Sequence, residues 1–209
     1  MLNFDIEREI PVMEHFYTIQ GEGYFTGTAA YFIRLAGCDV GCHWCDVKES
    51  WTVKQNQLLS YEALINAIQK TPTKLIVITG GEPLMYDINT LVSYLKKFDY
   101  QINIETSGSY SLNTKLDWIC VSPKKFKNVL PEVLAQADEL KCIIYNASDF
   151  DFALKNYENY KLLTDKAIKL YLQVEWSVQE KMLPQIIVFV KLHPEWNISL
   201  QTHKYLDIP

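Results

Sequence analysis

Three cysteines crowd into the stretch "AGCDVGCHWCDVKESW", residues 36–51: Cys38, Cys42 and Cys45, spaced C-x3-C-x2-C. Asp39, Gly41, His43 and Asp46 make the loop polar, so its thiols are set to hold metal and not to fill a core. A structural zinc site takes four protein ligands. His43 is the only local candidate for a fourth, and it adjoins Cys42, from where reaching the same ion would strain the loop. Cys120 or Cys142 would serve only if the fold brought one close. An iron–sulfur cluster is the other reading. Ferredoxin-type [4Fe–4S] clusters take four thiolates, one per iron. Three thiolates leave one iron with an open position, as a catalytic zinc keeps one open for water or substrate. Three cysteines thus describe a reactive centre where four would describe an electron carrier. The other two of the five cysteines, in "DWICVS" and "LKCIIY", read as small core hydrophobes.

Further polar clusters recur along the chain: "TGGEP" (79–83), "ETSGS" (105–109), "VSPKK" (121–125), "LQVEW" (172–176) and "QTHKY" (201–205). Each stands at or just after a short apolar run that reads as a strand: 29–37, 74–81, 101–108, 117–123, 139–145, 167–176 and 197–202. Helix-period segments separate them at 60–70, with Ser60 as N-cap, and at 88–98, 149–160 and 177–192, the last interrupted near Pro184. Alternation of this kind implies crossover connections and a mainly parallel sheet. A full eight-fold barrel takes ~250 residues, so the 209 here point to an α/β fold with a partial parallel barrel of about six strands. Ligands bind at the carboxyl ends of such strands, and the polar clusters should therefore converge on one face.

Composition bounds the rest. No linker or low-complexity tract divides residues 1–209, which read as one domain with an N-terminal substrate-binding segment and a C-terminal strand and tail. The net charge of −5 argues against general nucleic-acid binding. No apolar run is long enough to span a bilayer, and the N-terminus, "MLNFDIEREIPVM", lacks a signal-peptide core. A cytoplasmic location is expected.

The cysteine spacing, with the aromatic Trp44 before the last thiol, resembles the signature of the radical S-adenosylmethionine enzymes. The resemblance implies that the open iron binds the amino and carboxylate groups of S-adenosylmethionine, whose reductive cleavage gives methionine and a 5′-deoxyadenosyl radical. "TGGEP" is similar to the turn that holds the cofactor's methionine amino group, through Gly80, Gly81 and Glu82. Glu105 and Ser107, then Ser122, Pro123 and Lys124, and Gln173, resemble segments that contact the rest of the cofactor.

Within that superfamily, "TIQGEGYFTGTAAYFIRLAGC" (18–38) resembles the N-terminal signature of the 7-carboxy-7-deazaguanine synthases, and the likeness continues through "CDVKESW", "TGGEP", "ETSGS", "VSPK" and "ELK" to "QTHKYLDIP". It implies ring contraction of 6-carboxy-5,6,7,8-tetrahydropterin to 7-carboxy-7-deazaguanine with loss of ammonia, on the route to queuosine. Arg34 would grip the substrate carboxylate with its planar fork. Ile19, Gln20, Gly21, Glu22 and Thr79 would meet the pterin edge, with His203 and the Pro209 carboxylate. The same resemblance implies a flavodoxin or ferredoxin electron donor, a homodimer, and a Mg²⁺ site at Asp46. The family usually has Thr after that Asp, whereas here Val47 offers no ligand atom, and the family's frequent proline after the Gln of "LQVEW" is also missing. A radical activating enzyme acting on a glycine of a partner protein, or a non-catalytic electron-transfer or zinc module, are the competing expectations.

Overall fold

The computed structural model describes residues 8–209, so the first seven residues of the segment read above as lacking a signal core lie outside the described residues. Nine strands form one sheet. They are β1 (Glu9–Ile19), β2 (Ala29–Leu35), β3 (Leu58–Ser60), β4 (Leu75–Gly80), β5 (Gln101–Thr106), β6 (Trp118–Val121), β7 (Glu139–Ile144), β8 (Lys169–Val174) and β9 (Trp196–Ser199), in the order β3-β1-β2-β4-β5-β6-β7-β8-β9. From β2 to β9 every pairing is parallel, and β1 and β3 add on antiparallel. The parallel run therefore holds seven strands, against the six or so expected, and the sheet does not close. Helices α1 (Tyr61–Ile68), α2 (Asn89–Lys96), α3 (Pro131–Leu134), α4 (Ser148–Leu163), α5 (Gln179–Leu192) and α6 (Thr202–Leu206) complete the chain.

Alternation along the strands separates two interiors. Tyr31, Ile33, Leu35, Ile76, Ile78, Ile102, Ile104, Leu140, Cys142, Leu170 and Leu172 pack with the helices into one continuous core. The residues between them point to the concave face, because side chains alternate across a strand. There, Ala30, Phe32, Leu75 and Val77 form a small apolar base, and polar residues follow towards the carboxyl ends: Arg34, Thr79, Glu105, Lys141 and Gln173. The chain after β1 spans the open seam. Gly23 N donates to Ser199 Oγ at 2.9 Å, and Thr202 N to Gly21 O at 2.9 Å. Below, Tyr24 stacks on Trp118 with ring centroids 4.8 Å apart, and Phe25 meets Trp118 edge-on at 5.1 Å.

Three local expectations change. Helix α5 runs unbroken through Pro184, where only one early hydrogen bond is forfeited near the helix start. The last strand, expected over 197–202, ends earlier, β9 being Trp196–Ser199, and Thr202–Leu206 forms helix α6. Strand β1 carries no clean period-2 pattern and was not anticipated. Ser60 does cap α1, accepting from Ala63 N at 3.2 Å.

The β2–β4 contact depends on Gly80. Its φ is +133°, and a Cβ there would lie 2.2 Å from the Leu35 carbonyl oxygen and 2.3 Å from Leu35 N. Backbone cannot yield as a side-chain tip can. Gly27, with φ +88°, would place its Cβ in open space. Gly80→Ala should therefore cost at least about 2 kcal/mol, combining backbone strain with the clash, and lower Tm by ~4–8 °C. Gly27→Ala, which carries the backbone strain alone, should cost about 1 kcal/mol. Equal melting shifts for the two variants would show that the close approach is not limiting.

Candidate active site

At the carboxyl ends of the strands opens a cavity of about 490 Å³, within the range of small-molecule sites. Of the residues expected to hold the cluster, the cofactor, the substrate or Mg²⁺, all but Pro123 line it. The convergence expected from their positions after strands is therefore met.

One wall is the cysteine loop. Cys42 is buried, Cys38 and Cys45 are half-buried, and all three thiols are free. Backbone bonds fix the loop: Gly37 N to Ser50 O at 2.6 Å, Cys38 N to Trp51 O at 3.2 Å, and Cys45 N to Cys42 O at 3.0 Å. Asp39 at its rim accepts from Lys127 Nζ at 2.7 Å and from the Tyr110 hydroxyl at 2.6 Å. Lys127 and Tyr110 hold the Asp39 carboxyl below the usual range. Burial pushes the Cys42 thiol up to about 11 and raises that of Cys38 as well.

These thiols suit a cluster better than a single ion. Among the described residues no group of three His, Cys, Asp or Glu side chains could hold one metal ion. His43, weighed as a fourth zinc ligand, instead packs edge-on against Phe126 and Tyr145 at 5.4 and 5.1 Å and does not line the cavity. Cys120 and Cys142 are buried away from it. Three thiols along one wall, each for a different iron, fit the [4Fe–4S] reading.

Next to the loop stands the Gly80–Gly81–Glu82 turn. Gly81 N donates to Leu35 O and Glu82 N to Gly37 O, both at 2.9 Å, so turn and loop are joined through backbone. The Glu82 carboxylate, 1% exposed, accepts from Leu84 N at 3.1 Å, Ser107 N at 2.8 Å, and the Thr106 and Ser107 hydroxyls at 2.5 Å each. Its oxygens are thus spent on holding the turn to β5. Lys124 crosses behind, its Nζ 2.6 Å from both Ser122 O and Ser122 Oγ and 5.9 Å from the Trp44 ring centroid. Gln173 Oε1 accepts from Ser199 Oγ at 2.7 Å.

The opposite wall is a network of carboxylates. Gln20 donates from Nε2 to Glu105 Oε1 at 2.9 Å and accepts from Glu22 N at 3.1 Å. Thr79 Oγ1 donates to Glu105 Oε2 at 3.3 Å. Glu105, expected beside the cofactor, thus belongs with Gln20 and Thr79. Glu22 takes Gln201 Nε2 on Oε1 at 2.9 Å and Lys141 Nζ on Oε2 at 2.5 Å. Arg34 pairs across β1–β2 with Glu14, Nε to Oε1 at 2.7 Å, and faces the cavity beside Phe32. His203 lies against Gly21, where an added Cβ would meet its Nδ1 at 2.3 Å, and burial lowers its pKa. Pro209 reaches the mouth, its carbonyl oxygen accepting from Thr18 Oγ1 at 3.3 Å.

Lys141, Gln201, Lys204 and Glu14 were not singled out from the sequence. For Lys141 a signal existed: a lysine inside the buried run "ELKCIIY" is almost never fully buried unless paired. Asp46 is exposed at the rim, with Lys204 Nζ 3.8 Å and Gln201 Nε2 3.5 Å from its Oδ2.

Comparison with known proteins agrees with this geometry. The Radical SAM superfamily model matches residues 32–144, the stretch from the middle of β2 through β7. A protein from Flavobacterium psychrophilum named 7-carboxy-7-deazaguanine synthase is 52% identical over 96% of this chain and 93% of its own. Proteins of the same name from Synechocystis sp. and Escherichia coli are 41% and 32% identical, over 95% and 96% of this chain and 93% and 99% of theirs. The crystal structure of QueE from Escherichia coli superposes with a TM-score of 0.79 at 31% identity, covering 92% of this chain and 93% of that one. The cysteine loop and the glycine turn lie within the stretch matched to the Radical SAM superfamily, and the chain belongs to the 7-carboxy-7-deazaguanine synthase family.

Proposed function

We propose that this chain converts 6-carboxy-5,6,7,8-tetrahydropterin to 7-carboxy-7-deazaguanine and ammonia, with a [4Fe–4S] cluster on Cys38, Cys42 and Cys45 and S-adenosylmethionine on the open iron. The observation that carries this reading is one cavity with two unlike walls: three thiols against a glycine turn on one side, Gln20, Glu22, Arg34 and Glu105 on the other. When bound, the cluster and cofactor supply a 5′-deoxyadenosyl radical that removes one hydrogen atom from the substrate. The chain's own residues bind and orient. Gly80 and Gly81 let backbone approach the methionine end closely, with Trp44, Glu82, Ser107, Ser122, Pro123, Lys124 and Gln173 around the cofactor. Ile19, Gln20, Gly21, Glu22, Thr79, His203 and Pro209 surround the pterin. Arg34, held by Glu14 through Nε, offers its terminal N–H groups to the substrate carboxylate.

The wider setting in this proposal is one working domain over residues 1–209, a flavodoxin or ferredoxin as reductant, a homodimer, and the cytoplasm. Among the described residues no helix is long and apolar enough to cross a membrane. A peptide-activating role gains no support from a wall so rich in acceptors. The direct experiment is anaerobic turnover with the carboxytetrahydropterin and S-adenosylmethionine, read by deazaguanine absorbance; cofactor cleavage without that product would refute the substrate.

The fit for Mg²⁺ is poor. Asp46 faces Lys204, the Val47 side chain supplies no oxygen, and the Val47 carbonyl is taken by Ser50 N and Oγ. Mg²⁺ wants near-ideal octahedral oxygen coordination, which here would have to come almost entirely from water and substrate. Turnover is expected to respond weakly to Mg²⁺, and Val47→Thr to strengthen the response. Tight, saturating activation of the wild type in a Mg²⁺ titration would contradict this.

Cys38→Ala, Cys42→Ala and Cys45→Ala should each lose iron, sulfide and cofactor cleavage after anaerobic reconstitution. Cys120→Ala should keep all three and lose about 1 kcal/mol of stability. Any loop variant with full iron content and full cleavage would overturn the cluster assignment. Arg34→Lys gives up the planar fork and should lower kcat/KM by about tenfold or more, while uncoupled cofactor cleavage persists. Parallel loss of both activities would give Arg34 a structural role instead.

A further inference from the structure

The most deeply buried cation of the cavity stands in "ELK" (139–141), a segment of the family likeness to which the sequence alone assigns no role. Lys141 projects from the middle of β7 to the concave face with only 4% of its side chain exposed. Its Nζ lies 2.5 Å from Glu22 Oε2 and 3.8 Å from Glu105 Oε1. The titratable groups facing it are Glu22 from the chain after β1, Glu105 from β5, Cys120 from β6, Glu139 from its own strand, Lys124 from the segment after β6, and His203 from α6. Desolvating a lone ammonium costs several kcal/mol, so the two carboxylates are what keep it charged. Burial alone would lower the Lys141 pKa, but Glu105 and Glu22 hold it well above the usual lysine range.

The reverse dependence has chemical content. Burial pushes the Glu22 carboxyl up, and Lys141, with Gln201 and His203, outweighs that and holds it at about 2. An ionised carboxylate is acceptor-only, with about four lone-pair sites. Glu22 spends one on Lys141 and one on Gln201; Glu105 spends one on Gln20 and one on Thr79. Acceptor sites are left over on both, beside the cavity they line. Two carboxylates share one ammonium, so this wall keeps a surplus negative charge. A planar ring with a row of N–H donors, such as the amino-pyrimidinone edge of a pterin, complements it.

We propose that Lys141 is a positioning residue that sets substrate specificity: by bridging Glu22 and Glu105 it holds them side by side as an acceptor-only edge, which selects a pteridine carrying a 2-amino group over one carrying a 2-oxo group. This rests on the tetrahydropterin reading above. Lys141 need not touch the substrate. Without it, two close buried carboxylates repel, and one takes up a proton and turns from acceptor to donor. A 2-oxo ring would then be accepted as readily as a 2-amino ring.

The test measures binding by ligand fluorescence on the anaerobically reconstituted enzyme with S-adenosylmethionine, using pterin-6-carboxylate and lumazine-6-carboxylate as probes. Wild type should favour the pterin by about tenfold or more, since a site built to hydrogen-bond one group rejects its replacement. Its affinity should be flat from about pH 7 to about pH 8, because neither partner of the pair titrates there and His203, lowered by burial, stays neutral. Lys141→Met should narrow the preference below about threefold and should bind the pterin more weakly as pH falls, as protons return to the carboxylates. Lys141→Gln, which keeps a donor for Glu22 but no charge, should behave likewise if the Met variant folds poorly. Lys141→Arg should keep the preference and the flat profile. Wild-type preference retained with a flat profile in Lys141→Met or Lys141→Gln overturns this proposal alone. Failure of both neutral variants to fold, with Lys141→Arg folded, gives Lys141 a purely structural role and overturns it too. Wild type binding neither probe overturns the tetrahydropterin reading together with it.

Discussion

A buried carboxylate with four donors holds the active end of this molecule together. Glu82 is 1% exposed, and an ion so placed costs several kcal/mol unless its lone pairs are met. Leu84 N, Ser107 N and the hydroxyls of Thr106 and Ser107 meet them. The consequence is mechanical. The turn after β4 is pinned to the end of β5, and through Gly81 N to Leu35 O and Glu82 N to Gly37 O it becomes the seat of the cysteine loop. A Cβ on Gly81 would sit 2.1 Å from the Gly37 carbonyl oxygen, which measures how closely the two segments are pressed together. The thiols are therefore positioned by backbone contacts, and these exist only because a charged side chain is fully satisfied beneath them.

An open sheet leaves one side of its concave face unwalled. Here the chain between β1 and β2 supplies that side. Gly23 bonds to Ser199, Gly21 O accepts twice from Thr202, and Glu139 accepts from Tyr24 N at 3.3 Å and from Trp118 Nε1 at 3.0 Å. Burial raises the Glu139 pKa, yet its carboxyl serves as acceptor in either protonation state. With its base closed by stacked aromatic rings and its seam crossed by a glycine-rich strap, the same segment that completes the barrel brings Gln20 and Glu22 to the cavity. Barrel closure and substrate recognition are thereby one structural problem, and this explains how a sheet of seven parallel strands can enclose a site.

What the sequence disclosed, and what it hid, follows from the range of the interactions. The parallel strands were legible because they are largely buried and so read as short apolar-rich runs, the clearest being "KLIVITGG", which stops at a glycine pair. Strand β1, "EIPVMEHFYTI", is half exposed and contains a proline and a bulge between Val12 and Glu14, so neither period is clean. The cysteines and "TGGEP" announce themselves by local spacing. Lys141, Gln201 and Glu14 do not, because their meaning lies in partners 119, 179 and 20 residues away. Helix α6 was missed for a related reason. "QTHKY" stops being strand because Thr202 turns back to bond Gly21, a contact invisible along the chain.

The two walls of the cavity differ in what binding asks of them. On the carboxylate side the charges are already in place, with Glu22 held at about 2 and the Lys141 ammonium well above its usual range, so a neutral-pH ligand meets a charged pair that does not titrate. On the cysteine side burial keeps a proton on Cys42, whose thiol sits at about 11, with Lys124 pulling the other way. Iron binds thiolates, so holding a cluster there would release the thiol protons. pH therefore acts mainly on assembly of the cluster and little on the recognition wall. The sign is fixed: higher pH favours loading, and the Glu22–Lys141 pair loses its contribution to stability as pH falls from the ordinary carboxylate range towards 2, or as it rises past the ordinary lysine range. A radical enzyme gains from that division. Its reactive centre can be assembled and reduced under conditions of its own, while the surface that holds the substrate stays constant throughout.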